Sequence, residues 1–304
     1  MRSPAPLPSC GEEAPVAVFA PAKINLYLHV TGRRPDGYHE LDSLVAFADV
    51  GDGITAVPAS GLSLAITGPH ADGLAEAGDT NLVLRAARLL AAAFEVAPGA
   101  ALRLEKQLPV ASGLGGGSSD AAATLKALAA LWQLSVDTPA LARLAQPLGA
   151  DVPVCVHARP AWVGGIGERI EPAARLPEAG VLLANSGKPL STAAVFKARR
   201  GPYSGPGRFA VPSNVATLAE ALAACRNDLS EAAIGLMPEI AVVLDRLAAL
   251  PGALLVRMSG SGASCFALFA DLARARAAQQ RLAAAVPQWW CAAGRLVAAP
   301  ALSR

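Results

Sequence analysis

The apolar positions switch repeatedly between period-two and helical spacing. Over residues 24–30 the alternation is strict: Ile24, Leu26, Leu28 and Val30 take one side, while Lys23, Asn25, Tyr27 and His29 take the other. That is the pattern of a strand with one buried face. Residues 16–19 predict a strand before it, and 40–48, 53–57 and 62–66 predict strands after it. Arg33, Arg34, Pro35, Asp36 and Gly37 form the intervening turn, with Pro and Gly supplying the fixed dihedrals. Asp79, Thr80 and Asn81 supply the cap of a helix running to about Phe94. Residues 101–106 alternate as a strand, 109–117 form a glycine-rich loop, and an alanine-rich helix runs from about Ser118 to Trp132. A short helix over 139–147 and a strand over 154–157 follow. Past about Val163 the pattern restarts, with strands at 181–184, 254–258, 265–269 and around 288–298. Helices are predicted at 191–199, 214–224, 238–249 and near 271–285, and a surface loop at 201–207 around Pro202 and Pro206. No internal repeat of solenoid period is present, and the mixture of elements gives an α/β or α+β class.

Composition narrows this picture. The chain has 304 residues, 53% apolar and 16% charged, which is an ordered globular composition long enough for two domains. A net charge of +2 gives no electrostatic ground for nucleic acid or a membrane surface as partner. Arginine outnumbers lysine 21 to 5, as a GC-rich genome would produce, so each lysine merits inspection. Cys10, Cys155, Cys225, Cys265 and Cys291 are scattered without a C-x-x-C pair and read as free thiols of a reducing cytoplasm. Residues 1–14 lack an apolar h-region and read as a flexible tail, not a signal peptide. No uninterrupted apolar run is long enough to cross a membrane.

The chemistry concentrates at residues 109–120. Pro109, Val110, Ala111, Ser112, Gly113, Leu114, Gly115, Gly116, Gly117, Ser118 and Ser119 precede Asp120 and open a helix. Glycines let the backbone turn sharply and approach a ligand. Successive N–H groups then form an anion nest at the positive end of the helix dipole. Taken alone, the segment also fits a helix N-cap with a flexible lead-in, Ser118 being the cap. It is not a Walker A loop, because no Gly-Lys-Ser/Thr follows the glycines. Nor does it fit a dinucleotide fold, because the helix leads into Pro139 and another helix where an acid-tipped strand would be needed.

Residues 109–122 resemble the second motif of the GHMP kinases, the superfamily of galactokinase, homoserine kinase, mevalonate kinase and phosphomevalonate kinase. Pro21, Ala22, Lys23, Ile24, Asn25 and Leu26 resemble its N-terminal motif, and residues 258–264 its third, glycine-rich motif. All three stand in the family's order over nearly the whole chain. Residues 31–39, ending in Gly37, Tyr38 and His39, and residues 149–154 are similar to one branch, which acts on a small molecule bearing a cytidine diphosphate group.

The resemblance implies an ATP-dependent kinase of a small-molecule hydroxyl, with ATP carried as its Mg2+ complex and no dedicated metal cage; Ser118 or Ser119 is placed to give one ligand. It carries the catalytic aspartate onto Asp151, which the sequence alone places on a turn before the 154–157 strand. It carries the active-site lysine onto Lys23, otherwise an edge-strand lysine facing water. Asn25 shares the face of Lys23 and is a candidate substrate ligand. The resemblance places Tyr38 and His39 at the cytosine, with Phe196 and Lys197 on the facing wall and Ser191 and Thr192 near the substrate. Where a further aromatic wall is expected the chain has Leu44 and Val45, which implies either weaker stacking there or Phe47 as a substitute. Gly260, Ser261 and Gly262 support the phosphate loop, and Asn227 and Asp228 read as structural.

The implied fold is α+β and two-lobed: a lobe like ribosomal protein S5 domain 2 over 15–163, and a ferredoxin-like lobe over 164–304 whose last elements pack back on the first. A monomer or homodimer with no nucleic-acid or membrane partner is expected. Another GHMP small-molecule kinase, a non-catalytic nucleotide-binding module and a dinucleotide-dependent oxidoreductase remain as alternatives.

Overall fold

A computed structural model describes residues 14–74 and 78–297. The expected 1–14 tail, apart from residue 14, and Cys10 lie outside them. The strands are β1 (Val16–Arg33), β2 (His39–Pro58), β3 (Leu62–Thr67), β4 (Ala100–Glu105), β5 (Ala161–Gly165), β6 (Arg169–Pro172), β7 (Gly180–Asn185), β8 (Leu255–Met258), β9 (Cys265–Phe269) and β10 (Trp290–Val297). The helices are α1 (Leu82–Ala93), α2 (Gly116–Leu131), α3 (Thr138–Leu144), α4 (Val152–His157), α5 (Thr192–Ala198), α6 (Val215–Ala223), α7 (Ser230–Leu236), α8 (Glu239–Ala248) and α9 (Leu272–Ala285).

The separate strands expected at 16–19 and 24–30 are one strand, as are those at 40–48 and 53–57. Pro21 and Gly51, which fall in the gaps between those expected strands, stand opposite each other in the β1–β2 ladder, where the register shifts between Pro21 and Lys23. A bulge admits proline into a strand. A side chain at Gly51 would meet the Pro21 backbone at 2.8 Å, so the glycine makes room for the chain opposite. One edge of β2 pairs with β1, and the other is shared in turn by β5, β10 and β4. β2 is thus the spine to which the rest attaches.

The expected strand at 154–157 is instead α4. Val152, Val154 and Val156 suggest a buried strand, but Pro153 stands in the first helical turn and all three valines are buried. Burial against α2 overrides the β-branched preference. β5, β6 and α7 were not read from the sequence: β5 and β6 are short and rich in glycine and charge, and α7 is only seven residues.

Two faces of packing fix the architecture. Ile54, Leu102 and Leu104 of the first sheet lie in one core with Ala86, Leu90, Leu125 and Leu128 of α1 and α2. In β7 and β9, alternate residues divide. Leu182, Ala184, Ala267 and Phe269 pack with Ile240 and Val243 of α8 and Leu282 of α9. Val181, Leu183, Phe266 and Leu268 join Ala22, Ile24 and Leu26 of β1 in a core shared by both sheets. β10 links them, pairing with β7 along Trp290–Arg295 and with β2 at Leu296 and Val297. α9 lies against β7, β9 and β10. β5 crosses the expected division at 163/164 and, with β6, belongs to the first sheet.

Cys155, Cys225, Cys265 and Cys291 are free thiols, the first three buried. No helix among the described residues is long and apolar enough to cross a membrane.

Candidate active site

Three segments distant in sequence meet at the start of α2. The loop after β4 turns through Gly113 (φ +78°) and Gly115 (φ +62°), a region L side chains avoid. A side chain at Gly113 would strike the Gly262 carbonyl at 2.7 Å, and one at Gly115 the Lys23 side chain at 3.0 Å. These glycines let the second glycine-rich turn and the lysine close on the loop. Ser259 Oγ donates to the Gly113 carbonyl (2.9 Å), and the Ser264 N–H to the Ser112 carbonyl (2.8 Å). The Lys23 N–H donates to the Leu114 carbonyl (2.8 Å), joining β1 to the same loop.

Lys23 is buried, not facing water. Its Nζ donates to Asp151 Oδ2 (2.8 Å) and Asn25 Oδ1 (3.0 Å), and Asn25 Nδ2 donates to Ser43 Oγ (2.8 Å). Asp151 stands at the cap position of α4 but makes no side-chain cap bond. Its carboxylate turns to Lys23 and stays 44% exposed, so an acceptor hydroxyl can reach it from the cleft.

That cleft, about 1020 Å³, is lined by Lys23, Asn25 and Asp151, by Pro109, Val110, Ala111, Ser112, Gly113, Gly115, Gly116, Gly117 and Ser118 of the loop, and by Gly260 and Ser261. Two loop members face elsewhere. Leu114 is fully buried in the shared core. Ser119 is buried, its Oγ donating to the Pro21 carbonyl (2.7 Å) with Cys155 Sγ at 3.3 Å, so Ser118 alone of the serine pair faces the cleft. Gly262 packs away from the cleft, towards Met258, Ile240 and Leu190.

Tyr38, His39, Phe196, Lys197 and Thr192 line the same cleft. His39 stacks on Phe196 with centroids 5.3 Å apart, while Tyr38 is 63% exposed. Burial, then the charges of Arg33 and Arg199, hold His39 below the usual histidine range. Thr192 Oγ1 and Ser261 Oγ share a hydrogen bond (2.8 Å). Ser191 caps α5, accepting from the Ala194 N–H (3.4 Å), and does not line the cleft. Phe47 supplies no aromatic wall: it and Val45 are buried in the core against α1 and α2, whereas Leu41 lines the cleft. Asn227 braces the second glycine turn, donating to the carbonyls of Met258 (2.9 Å) and Gly260 (2.8 Å), and Asp228 accepts the Val30 N–H (2.7 Å).

Sequence reasoning missed a buried ion cluster behind the loop. Lys106 Nζ donates to Asp52 Oδ2 (2.6 Å) and Asp120 Oδ2 (2.7 Å), and Asp52 Oδ1 accepts the N–H groups of Gln107 (2.6 Å) and Leu108 (2.8 Å). All three side chains are at most 2% exposed. Burial opposes the Lys106 charge, but Asp120 and Asp52 raise its pKa above the usual lysine value. Burial and the nearby Asp52 push Asp120 up to about 7. A side chain at Gly116 would lie 2.9 Å from Lys106 Nζ, so the ammonium stands directly behind the first turn of α2. The scarcity of lysine was the available signal. Leu74 and Leu82 also line the cleft, giving it an apolar patch beside the loop.

The arrangement brings a glycine-rich loop at a helix start, a lysine-held, part-exposed carboxylate and an aromatic pair into one cleft. Among the described residues no group of three or more His, Cys, Asp or Glu is placed to hold a metal ion.

Known proteins share this organisation. The family "GHMP kinases N terminal domain" matches residues 81–159, and "GHMP kinases C terminal" matches residues 211–288. The 4-diphosphocytidyl-2-C-methyl-D-erythritol kinase of Paramagnetospirillum magneticum is 52% identical over 92% of this chain and 98% of its own. That of Cereibacter sphaeroides is 56% identical over the same shares. A crystal structure of 4-(cytidine 5'-diphospho)-2C-methyl-D-erythritol kinase superposes with a TM-score of 0.75 at 38% identity, covering 92% of this chain and 99% of that one. Homoserine kinase from Cytophaga hutchinsonii shares the fold, with a TM-score of 0.70 at 15% identity and coverage of 97% and 98%.

Proposed function

This chain belongs to the GHMP kinases, in the branch of the 4-diphosphocytidyl-2-C-methyl-D-erythritol kinases, and from that premise we propose which residues perform the transfer. It is an ATP-dependent kinase of the non-mevalonate isoprenoid precursor route. The acceptor is the 2-hydroxyl of 4-diphosphocytidyl-2-C-methyl-D-erythritol. The loop from Pro109 to Ser118 holds the phosphates of ATP through backbone N–H groups and the α2 dipole, and the base lies against Leu74 and Leu82. Ser118, which lines the cleft, would give the one protein ligand of the Mg2+ that accompanies the nucleotide, with phosphate oxygens and water as the rest, and the ion would neutralise phosphate charge.

One observation carries the catalytic assignment. The Asp151 carboxylate leaves a helix cap unmade and sits 2.8 Å from Lys23 Nζ, in the cleft that the loop also lines. As the hydroxyl oxygen forms its bond to the γ-phosphorus, the bond to the β-phosphate oxygen breaks and ADP departs. The hydroxyl proton passes to Asp151. Lys23 keeps that carboxylate oriented and offsets charge on the transferred group. Phe196 and His39 form one wall of the cytosine slot, and Tyr38 closes the other. Two domains meet at this cleft. The division expected at 163/164 is better drawn between β6 and β7, since β5 and β6 pair within the first sheet.

A coupled ADP-release assay with the cytidylyl substrate, against homoserine and mevalonate as controls, tests the reading. Release with the first alone supports it, and release with a control instead sinks the cytidine slot. Tyr38→Ala is expected to raise KM for the cytidylyl substrate about tenfold, the loss of one aromatic stacking face, with KM for ATP unchanged. Equal rises in both constants would remove Tyr38 from the slot.

A further inference from the structure

The cleft carries more positive charge than a nucleotide loop accounts for. Arg33, Lys197, Arg199 and Arg200 line it together with His39 and Phe196. None of the four has a carboxylate partner among the described residues, whereas Arg34, one position beyond Arg33, faces Asp36 (3.4 Å) and Glu168 (3.8 Å).

Neutral backbone groups fix three of these cations without discharging them. Arg199 donates from Nη1 to the Gly201 carbonyl (3.0 Å) and from Nη2 to that of Pro202, and its guanidinium lies 4.8 Å from the Tyr203 ring centroid. Its Nε is buried without a partner. Arg200 donates to the carbonyls of Lys197 (2.7 Å) and Arg199 (2.9 Å), and Arg33 to that of Gly37 (3.2 Å). Guanidinium groups held in place along one cleft without a carboxylate partner are preorganised for a multivalent anion. The charges of Arg33 and Arg199 reach His39, which places them at the aromatic wall. The glycine loop is carried by other elements, β4 and α2.

We propose that Arg33, Arg199 and Arg200 form a collar that binds the diphosphate of the cytidine-bearing substrate, separately from the loop that binds the phosphates of ATP. The inference rests on the reading of the cleft as a cytidylyl-substrate site. It makes the second phosphate, and not the base alone, a determinant of recognition. A planar guanidinium fork matches phosphate oxygens in pairs, so each lost member costs affinity for CDP more than for CMP or cytidine.

Calorimetric titration of CDP, CMP, cytidine and ADP into wild type, Arg200→Met and Arg33→Met tests this. Wild type is expected to bind CDP at least about tenfold more tightly than CMP, the worth of a charge-assisted contact. Each variant shrinks that ratio, and ADP affinity stays as in wild type, a split that general unfolding does not produce. Arg200→Met is the decisive variant, because Arg200 bonds only to carbonyls at its own helix end, whereas Arg199 also anchors the 201–202 turn. CDP and CMP bound alike by wild type, or a ratio unchanged in both variants, would overturn the collar alone. A wild type that binds ADP but none of the cytidine ligands would overturn the cytidylyl reading and the collar with it.

Discussion

Asp151→Asn is expected to lower kcat by roughly 10²–10⁴-fold, the usual worth of a positioned general base, while ADP affinity stays within error of wild type. The substitution keeps the size of the side chain and an oxygen to accept from Lys23, so the loop and the cleft wall remain in place. What is lost is the capacity to take the acceptor's proton. Measuring kcat by coupled ADP release, with ADP affinity by calorimetry, separates chemistry from binding. Lys23→Ala is expected to lower kcat as well, and the double variant to lose less than the product of the two, since the residues act as one unit. A kcat for Asp151→Asn near wild type would end its assignment as base.

Why the site could be read at all follows from where its information lies. The three glycine-rich or lysine-bearing motifs are local strings, and the loop's chemistry depends on backbone N–H groups that glycines expose. Lys23 and Asp151 stand 128 positions apart, and only their motifs tied them together before the fold placed them 2.8 Å apart. The local setting of Asp151 was misread because three alternating valines mimic a strand, while the helix they form is dictated by packing on α2. The gap expected around Pro21 is closed in the fold by a bulge whose opposite position is a glycine. Long strands with internal bulges carry no separate sequence signature. The cations of the collar were illegible for another reason. An arginine's role depends on whether a carboxylate stands near it, and that is a property of tertiary contacts.

The ion cluster behind the loop shows the same limit and yields the second large effect. Asp52 lies in the gap between two expected strands, Lys106 ends an alternating strand and Asp120 follows two serines; nothing local joins them. Lys106→Met removes the single cation shared by two carboxylates that are both almost fully buried. Leaving buried charges uncompensated costs about 3–5 kcal/mol of folding stability, and the loss should appear as a lower urea midpoint. The pH dependence has a definite sign. In wild type the Asp120 carboxyl sits at about 7, above its ordinary 3.8. Its contribution to stability is therefore fully present below the unfolded value and is lost as pH rises through the folded one. Without Lys106 the folded value moves higher still. The deficit of the variant should be greatest at about pH 8 and shrink towards about pH 5.5, as the Asp120 carboxylate takes up its proton. Replacing all three residues by neutral partners of similar size should recover part of the loss, because the cost lies in the unpaired charge and not in the missing contact. A deficit under about 1 kcal/mol, the scale of an exposed ion pair, would show that the cluster does not hold the phosphate loop's foundation together. A deficit of the full size at both pH values would instead locate the loss in packing around the Lys106 stem.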